Sequence, residues 1–343
     1  MPVEEAVIPA NVADDDATDF IESARINGLV EALGYGHNDL LMSAAEVLPY
    51  WQVAAGPRRL FVFREEGVMA GRAMYAWQAD DPDTVWMHVD VLPEHRRRGY
   101  GAQLADHLEA LARGEGRRKI LNYTVSPPAP GERLPSPTGF GSMPLANDEV
   151  QFLLGRGYRL EQVVRGSRLA LPLDVVVPAA DADYRVHTWS ERVPEEWLVD
   201  MAHLLTRMST DAPSAGLEEP EDVHTPERIR AEEEAEAQSP RTSLTAAVEH
   251  VPSGKLAGFT LLSVPREVDR AVHQDDTLVL REHRGKRLGM LLKAANLDYL
   301  QRERPGHPSV VTFNAEENRY MLDVNEALGF VPMGYEGAWR KDL

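Results

Sequence analysis

The chain of 343 residues contains no cysteine. Disulfides, thiolate metal ligands and a covalent cysteine nucleophile are therefore excluded together. Lysine fills only five of the 36 basic positions, which with abundant alanine points to a GC-rich bacterial genome and carries no chemistry. No apolar run approaches the ~18 residues of a membrane span, and no charged-then-apolar leader opens the chain, so a cytoplasmic protein is expected, with no membrane partner. Positive charge is also short: the net charge of −19 argues against nucleic acid as a partner and mildly favours a cationic ligand. The 43% hydrophobic and 27% charged residues suit a soluble globular chain long enough for two domains.

What the chain does have is one conspicuous stretch, Val89-Asp90-Val91-Leu92-Pro93-Glu94-His95-Arg96-Arg97-Arg98-Gly99-Tyr100-Gly101-Ala102. A β-branched run leads into a basic turn and two glycines, after which Leu104, Leu108 and Leu111 recur at helical spacing. The turn therefore sits at a helix N-terminus, where unpaired N–H groups and the positive end of the dipole favour phosphate. Glycines let a pyrophosphate approach the backbone, and arginines add charge-assisted hydrogen bonds. The letters match neither a Walker loop, which needs Gly-Lys-Ser/Thr, nor a dinucleotide fingerprint, whose third small residue is replaced by Leu104.

A second copy follows. Thr277 to Gly289 aligns without a gap on Val89 to Gly101 at a constant offset of 188, pairing Val91 with Val279, Glu94 with Glu282, His95 with His283, Arg96 with Arg284 and Gly101 with Gly289. It too opens a helix, with Leu288, Leu291, Leu292, Ala295 and Tyr299 on one face. The chain reads as a duplicated domain. In the first copy, an acidic loose tail over 1–15 precedes helices near 17–33 and 39–52, interrupted at Gly34-Tyr35-Gly36. A hairpin turns at Glu65-Glu66-Gly67, a strand enters the loop, and a buried strand follows over 119–125. Residues 126–145 form a Pro/Gly-rich insertion, either a surface loop or a lid. The domains are expected at 1–175 and 183–343, with a linker over 176–182; in the second copy helices precede a meander, the motif helix, a strand over 309–313, a helix over 317–328 and two terminal strands.

Arg96-Arg97-Arg98-Gly99-Tyr100-Gly101, placed after a strand and repeated, resembles the acetyl-CoA pyrophosphate loop of the GNAT acetyltransferase superfamily. The resemblance implies an α/β (α+β) chain of two GNAT folds in tandem, each a mixed, mostly antiparallel sheet splayed at its centre and flanked by helices. It implies cofactor contacts from Val91, Arg96, Arg97, Arg98, Gly99, Tyr100, Gly101 and Ala102 in the first half, and from Val279, Arg284, Gly285, Lys286, Arg287, Leu288 and Gly289 in the second. The splay, attributed to a bulge, frees backbone donors near Asp90, Val91 and Leu92 and near Leu278, Val279 and Leu280 to hold pantetheine and polarise the thioester.

Asn314-Ala-Glu-Glu-Asn318-Arg-Tyr-Met321 and Leu328-Gly329-Phe330 resemble the family's acceptor-side helix, which makes Asn314 and Asn318 cofactor contacts and favours the second half as catalytic. Asn325 lies on that helix's apolar stripe, either bonded within the core or facing the cofactor. The tyrosine that often precedes the terminal glycine is replaced by Leu153 and Asn325 in the two halves, with Tyr320 or Tyr335 as substitutes. Arg287 in place of Gly99 puts close pyrophosphate approach in doubt in the second half.

An acceptor amine with pKa ~10 must lose a proton before attack, which calls for a base. His88 and Asp90, or His273, Asp275 and Asp276, stand on the loop-entry strands, while His95 and His283 are placed to brace the turns. The candidate catalytic residues are thus Asn325, Asp276, Tyr320 and Asp90. The acidic clusters at Glu218-Glu219-Glu221-Asp222 and Glu232-Glu233-Glu234-Glu236 are solvated faces or cation-attracting rims. The expected activity is acetyl transfer from acetyl-CoA, without metal, to a small-molecule amine by a monomer or homodimer. The alternatives are a catalytically lapsed acyl-CoA-binding regulator, or acylation of a protein amine.

Overall fold

A computed structural model describes residues 3–53, 56–211, 213–217 and 221–343; Glu218 and Glu219 of the first acidic cluster lie outside the described residues. In chain order the elements are β1 (Glu4–Ala6), α1 (Thr18–Tyr35), α2 (Ala44–Trp51), β2 (Arg58–Glu65), β3 (Val68–Ala76), β4 (Thr84–Val91), α3 (Tyr100–Gly114), β5 (Lys119–Val125), β6 (Arg133–Pro135), β7 (Ser142–Pro144), α4 (Asp148–Gly155) and β8 (Arg159–Ala170). There follow β9 (Tyr184–Ser190), α5 (Leu198–Asp211), α6 (Pro226–Glu236), β10 (Arg241–His250), β11 (Lys255–Pro265), β12 (Val272–Val279), α7 (Leu288–Glu303), β13 (Ser309–Ala315), α8 (Arg319–Leu328) and β14 (Val331–Asp342). The mixed α/β architecture, with mostly antiparallel strands flanked by helices, is the one expected.

Two compact units divide the chain. Unit 1 comprises Met1–Val164, Ser214–Glu219 and Gly334–Leu343, and unit 2 comprises Arg165–Pro213 and Pro220–Met333. In unit 1 the strands run in the order β1-β2-β3-β4-β5-β14, so the end of the chain pairs antiparallel with β5, Glu336 opposite Val125 and Asp342 opposite Lys119. In unit 2 the order is β13-β12-β11-β10-β9.

Several local departures have plain causes. The acidic tail forms β1 because Glu4 to Ala6 pair with Val62 to Leu60 of β2, and Arg59 and Arg64 hold Glu5 and Glu4. Helix α1 runs through Gly34 to Tyr35 and ends at Gly36, which takes a left-handed φ of 77°. Gly34 is needed for closeness, since a Cβ there would run into Val125 of β5. The insertion after β5 contains the two-stranded ribbon β6–β7. A single strand, β14, replaces the two short terminal strands.

The core of unit 1 packs Leu104 and Leu108 of α3 against Phe61, Tyr75, Val85, Met87 and Ile120, and Trp339 of β14 is wholly buried among them. In unit 2, α7 is buried on several faces, with Leu291, Leu292, Leu297 and Leu300 inside. Polar α7 residues are buried too, and each must find partners. Asn296 donates to the Leu244 carbonyl at 2.9 Å, and Lys293 donates to Asn325 Oδ1 at 2.8 Å.

Candidate active site

Strands β4 and β5 run parallel for three pairs, ending at Trp86 with Leu121. Beyond that point they part, and two side chains take the groups the ladder leaves: Asn122 donates to the Met87 carbonyl at 2.6 Å, and His88 Nδ1 lies 3.2 Å from the Tyr123 carbonyl. The β3–β4 register is unbroken from Gly71 with Val91 to Ala76 with Trp86, so the splay in unit 1 needs no bulge in that ladder. Unit 2 splays at the corresponding place, after Gln274 with Thr312, and there a bulge sets Asp275 and Asp276 against Leu261.

The splay of unit 1 opens into a cavity of about 760 Å³. At one end are Val91, Arg96, Arg97, Gly99, Tyr100, Gly101 and Ala102, every expected loop residue of the first half except Arg98. The loop is held from beneath by Glu65, which binds Arg98 at 2.9 Å, His95 Nδ1 at 2.8 Å and the Tyr100 hydroxyl. His95 thus braces the turn as expected. Arg96 Nε donates to the Val91 carbonyl at 3.0 Å while the rest of the exposed guanidinium faces outward. Gly99 caps α3 with φ of 87°, and Arg97 is also left-handed at 61°. With the first amides of α3 aimed along the helix axis, this end fits a pyrophosphate.

The second loop is built to the same plan. Arg284 Nε meets the Val279 carbonyl at 3.0 Å, and the two left-handed positions recur as Gly285 at 80° and Arg287 at 58°. Glycine and arginine have exchanged places, so Arg287 keeps the turn at a cost of about 1–2 kcal/mol. Lys286 lies over the Tyr184 ring, whose hydroxyl is 2.8 Å from His283 Nδ1. Leu288 and Gly289 are buried at the start of α7. Here, however, Arg284 and Arg281 both bind the buried carboxylate of Asp211, at 2.9 and 3.3 Å. Tyr320, half exposed, lies over Gly289, where Phe152 lies over Gly101 in unit 1.

The asparagines of unit 2 turn inward. Asn325 is 1% exposed; its amide nitrogen donates to Asn314 Oδ1 at 2.7 Å and its oxygen accepts from Lys293. Asn318 caps α8 through Met321 N. Of the two readings of Asn325, the structure gives the core one. Burial pushes the Lys293 ammonium down to about 7, so the folded state binds fewer protons than the unfolded state between about pH 7 and 10.5. Stability therefore rises with pH through that window, and Lys293→Met removes the rise, as melting temperatures at pH 7 and 10 will show. Asp276, on β12 of unit 2, is raised by burial.

Opposite the first loop the sequence had marked only His88 and Asp90. The register sets Arg72 beside Asp90 and Met74 beside His88, on the face covered by α1. Asp90 is 1% exposed and takes Arg72 Nε at 2.8 Å, His88 Nε2 at 2.8 Å and Asn27 Nδ2 at 3.4 Å. Burial opposes its charge, but His88 and Arg72 hold the carboxyl down at about 2. Both His88 nitrogens face acceptors, so although burial disfavours its charge, Asp90 raises its pKa. Asp90 thereby favours the charged form of His88 and fixes its ring in place.

The groups facing the cavity without such partners were not foreseen. Glu31, on α1, accepts no hydrogen bond from the described residues, and burial, with Asp90 and Glu336 nearby, pushes its carboxyl up to about 7. Glu336, on β14, is raised by burial and accepts from the Tyr35 hydroxyl. Arg72 carries a readable signal, a charge inside the apolar strand Val68–Ala76; Glu336 carries none, because nothing local says which unit its strand joins. Among the described residues no cluster of histidines and carboxylates fits a metal ion, and no helix is long and apolar enough to cross a membrane.

Residues 29–130 match the acetyltransferase (GNAT) family model. No curated protein matches the chain. Among solved structures, a tandem GNAT protein from the clavulanic acid biosynthesis pathway is similar at 26% identity and a TM-score of 0.75, over 99% of this chain and 98% of that one. A GCN5-related N-acetyltransferase from Sphaerobacter thermophilus, at 16% identity, shares the fold with a TM-score of 0.65 over 99% and 95%. Residues 29–130 thus carry a GNAT acetyltransferase domain, and the chain as a whole is similar in fold and length to a tandem GNAT protein.

Proposed function

We propose that unit 1 transfers the acetyl group of acetyl-CoA directly to the amine of a small cationic acceptor, and that unit 2 is its non-catalytic partner. One observation carries this reading: a single cavity joins the open arginine loop to a carboxylate, Glu31, that accepts no hydrogen bond from the described residues. Acetyl-CoA supplies the activated acetyl group. The amides of α3 and the guanidinium of Arg96 hold the pyrophosphate, and the gap beyond Trp86 and Leu121 admits the thioester. Glu31 takes a proton from the acceptor ammonium, the freed nitrogen bonds to the acetyl carbon, the carbon–sulfur bond breaks, and the nitrogen gives up its second proton to water as the amide forms. The thiolate that leaves is reprotonated from water, so no cysteine is required.

This assignment goes against the favour the asparagine helix lent to unit 2. Asn314 and Asn325 are engaged with each other and with Lys293, and Arg284 is neutralised by Asp211. A cytoplasmic, metal-free enzyme acting on a small molecule remains part of the proposal. Calorimetry with acetyl-CoA tests it. Arg96→Ala is expected to weaken binding by about tenfold or more, the size of a lost charge-assisted hydrogen bond, and Arg284→Ala by less than about threefold. A larger loss from Arg284→Ala moves the working site to unit 2.

A further inference from the structure

The chain's last strand brings one more group to the cavity. Glu336 stands opposite Val125, on the face where α1 lies, and its partner Tyr35 is 301 positions away in sequence. The Tyr35 ring is pinned against Gly334, where a Cβ would run into it, so the hydroxyl is aimed at Glu336 Oε1 and fixes the carboxylate. Glu336 Oε2 accepts no hydrogen bond from the described residues, and Glu336 lines the cavity. A purely structural Tyr–Glu pair would be closed off from such a space.

The cations nearest these carboxylates, His88 and Arg72, act on them through space and make no hydrogen bond to them. Arg72 is bound to Asp90, and both nitrogens of His88 are engaged. Glu336 Oε2 is thus left facing the cavity, where the ammonium of a ligand can meet it. The walls beside it are apolar: Val30 and Leu33 from α1, Val125 and Pro127, and Trp86 stacked on Tyr123 with centroids 5.4 Å apart at 9°. A second charge on the acceptor would be desolvated against those walls, because the other carboxylates of the lining, Asp148 and Glu149, are engaged by Arg97 and Ser126 and Glu31 takes the proton.

Resting on the proposed transfer in unit 1, we infer that Glu336 is a specificity-determining residue whose free oxygen holds the acceptor's ammonium, that Tyr35 positions it, and that the acceptor carries one cationic amine on an apolar body of aromatic size. Residues 334–343 therefore complete a site whose other members lie before residue 153. The chemistry at this position is electrostatic, with Glu31 still taking the proton.

The test compares 2-phenylethylamine with 1,4-diaminobutane as probes, following thiol release from acetyl-CoA with a thiol reagent that the cysteine-free chain cannot consume. The native protein is expected to prefer 2-phenylethylamine by about tenfold or more in kcat/KM, and Glu336→Gln to raise its KM by about tenfold while the KM for acetyl-CoA stays within about twofold. Tyr35→Phe is expected to raise the amine KM by about threefold with kcat retained, and Glu336→Asp to recover part of the loss. Thermal melts establish that each variant folds. An amine KM unmoved by Glu336→Gln in a folded variant, or a preference for the diamine, overturns the inference alone. Turnover of neither probe by the native protein, with acetyl-CoA bound, overturns the transfer reading together with it.

Discussion

Replacing Glu31 by glutamine is expected to lower kcat by about 10²–10³-fold and to remove the acidic limb of the pH–rate profile. The carboxyl is pushed up to about 7 by burial and by the neighbouring charges of Asp90 and Glu336, against the pull of His88 and Arg72. A base works in its ionised form, so kcat/KM should climb as pH rises through about 7 and level off above it. Approach of an ammonium favours the ionised carboxylate, which shifts the limb of kcat to lower pH than that of kcat/KM. Glutamine keeps the shape of the side chain and cannot take the proton, so the variant should bind acetyl-CoA normally and turn over slowly at every pH. A variant that keeps both its kcat and the limb would assign proton removal to water. His88 is a poor substitute, because Asp90 and the Tyr123 carbonyl already engage both of its nitrogens.

The legible parts of the site were the local ones. A phosphate turn needs a strand, a few left-handed residues and a helix start in immediate succession, so Val89 to Ala102 and its copy at offset 188 reveal themselves in the letters. The backbone of the turn is preserved in both copies, since positions 97 and 99 and their counterparts 285 and 287 take the same left-handed conformations with one glycine each. The acceptor side depends on register and on packing between distant segments. Gly34 reads as a helix interruption when its chain neighbours alone are considered; its role is to let α1 lie against Val125 and so bring Glu31 to the splay. Asn325 lies on an apolar stripe with either partner conceivable, and only the position of Lys293 decides between them. The terminal strand was read as part of the second repeat, because a strand's pattern states which of its faces is buried and is silent about its neighbour.

That strand carries the second large effect. Trp339→Ala is expected to destabilise unit 1 by about 3–5 kcal/mol, the cost of emptying a large aromatic site in a packed core. Trp339 has no exposed surface and packs in the cluster of Phe61, Tyr75, Leu104 and Ile120, while its backbone pairs with Asn122 on β5. Denaturant titration followed by circular dichroism, with acetyl-CoA binding measured in parallel, identifies the unit affected. Unfolding need not be two-state in a chain of two units, so the diagnostic is which transition moves. If Gly334–Leu343 belongs energetically to unit 1, the transition that abolishes acetyl-CoA binding moves to lower denaturant and the other stays. A shift confined to the other transition would return the strand to unit 2, and Glu336 with it. The same strand both buries Trp339 in the core of unit 1 and presents Glu336 beside Tyr35, so the proposed acceptor contact and the stability of unit 1 are tested on one element.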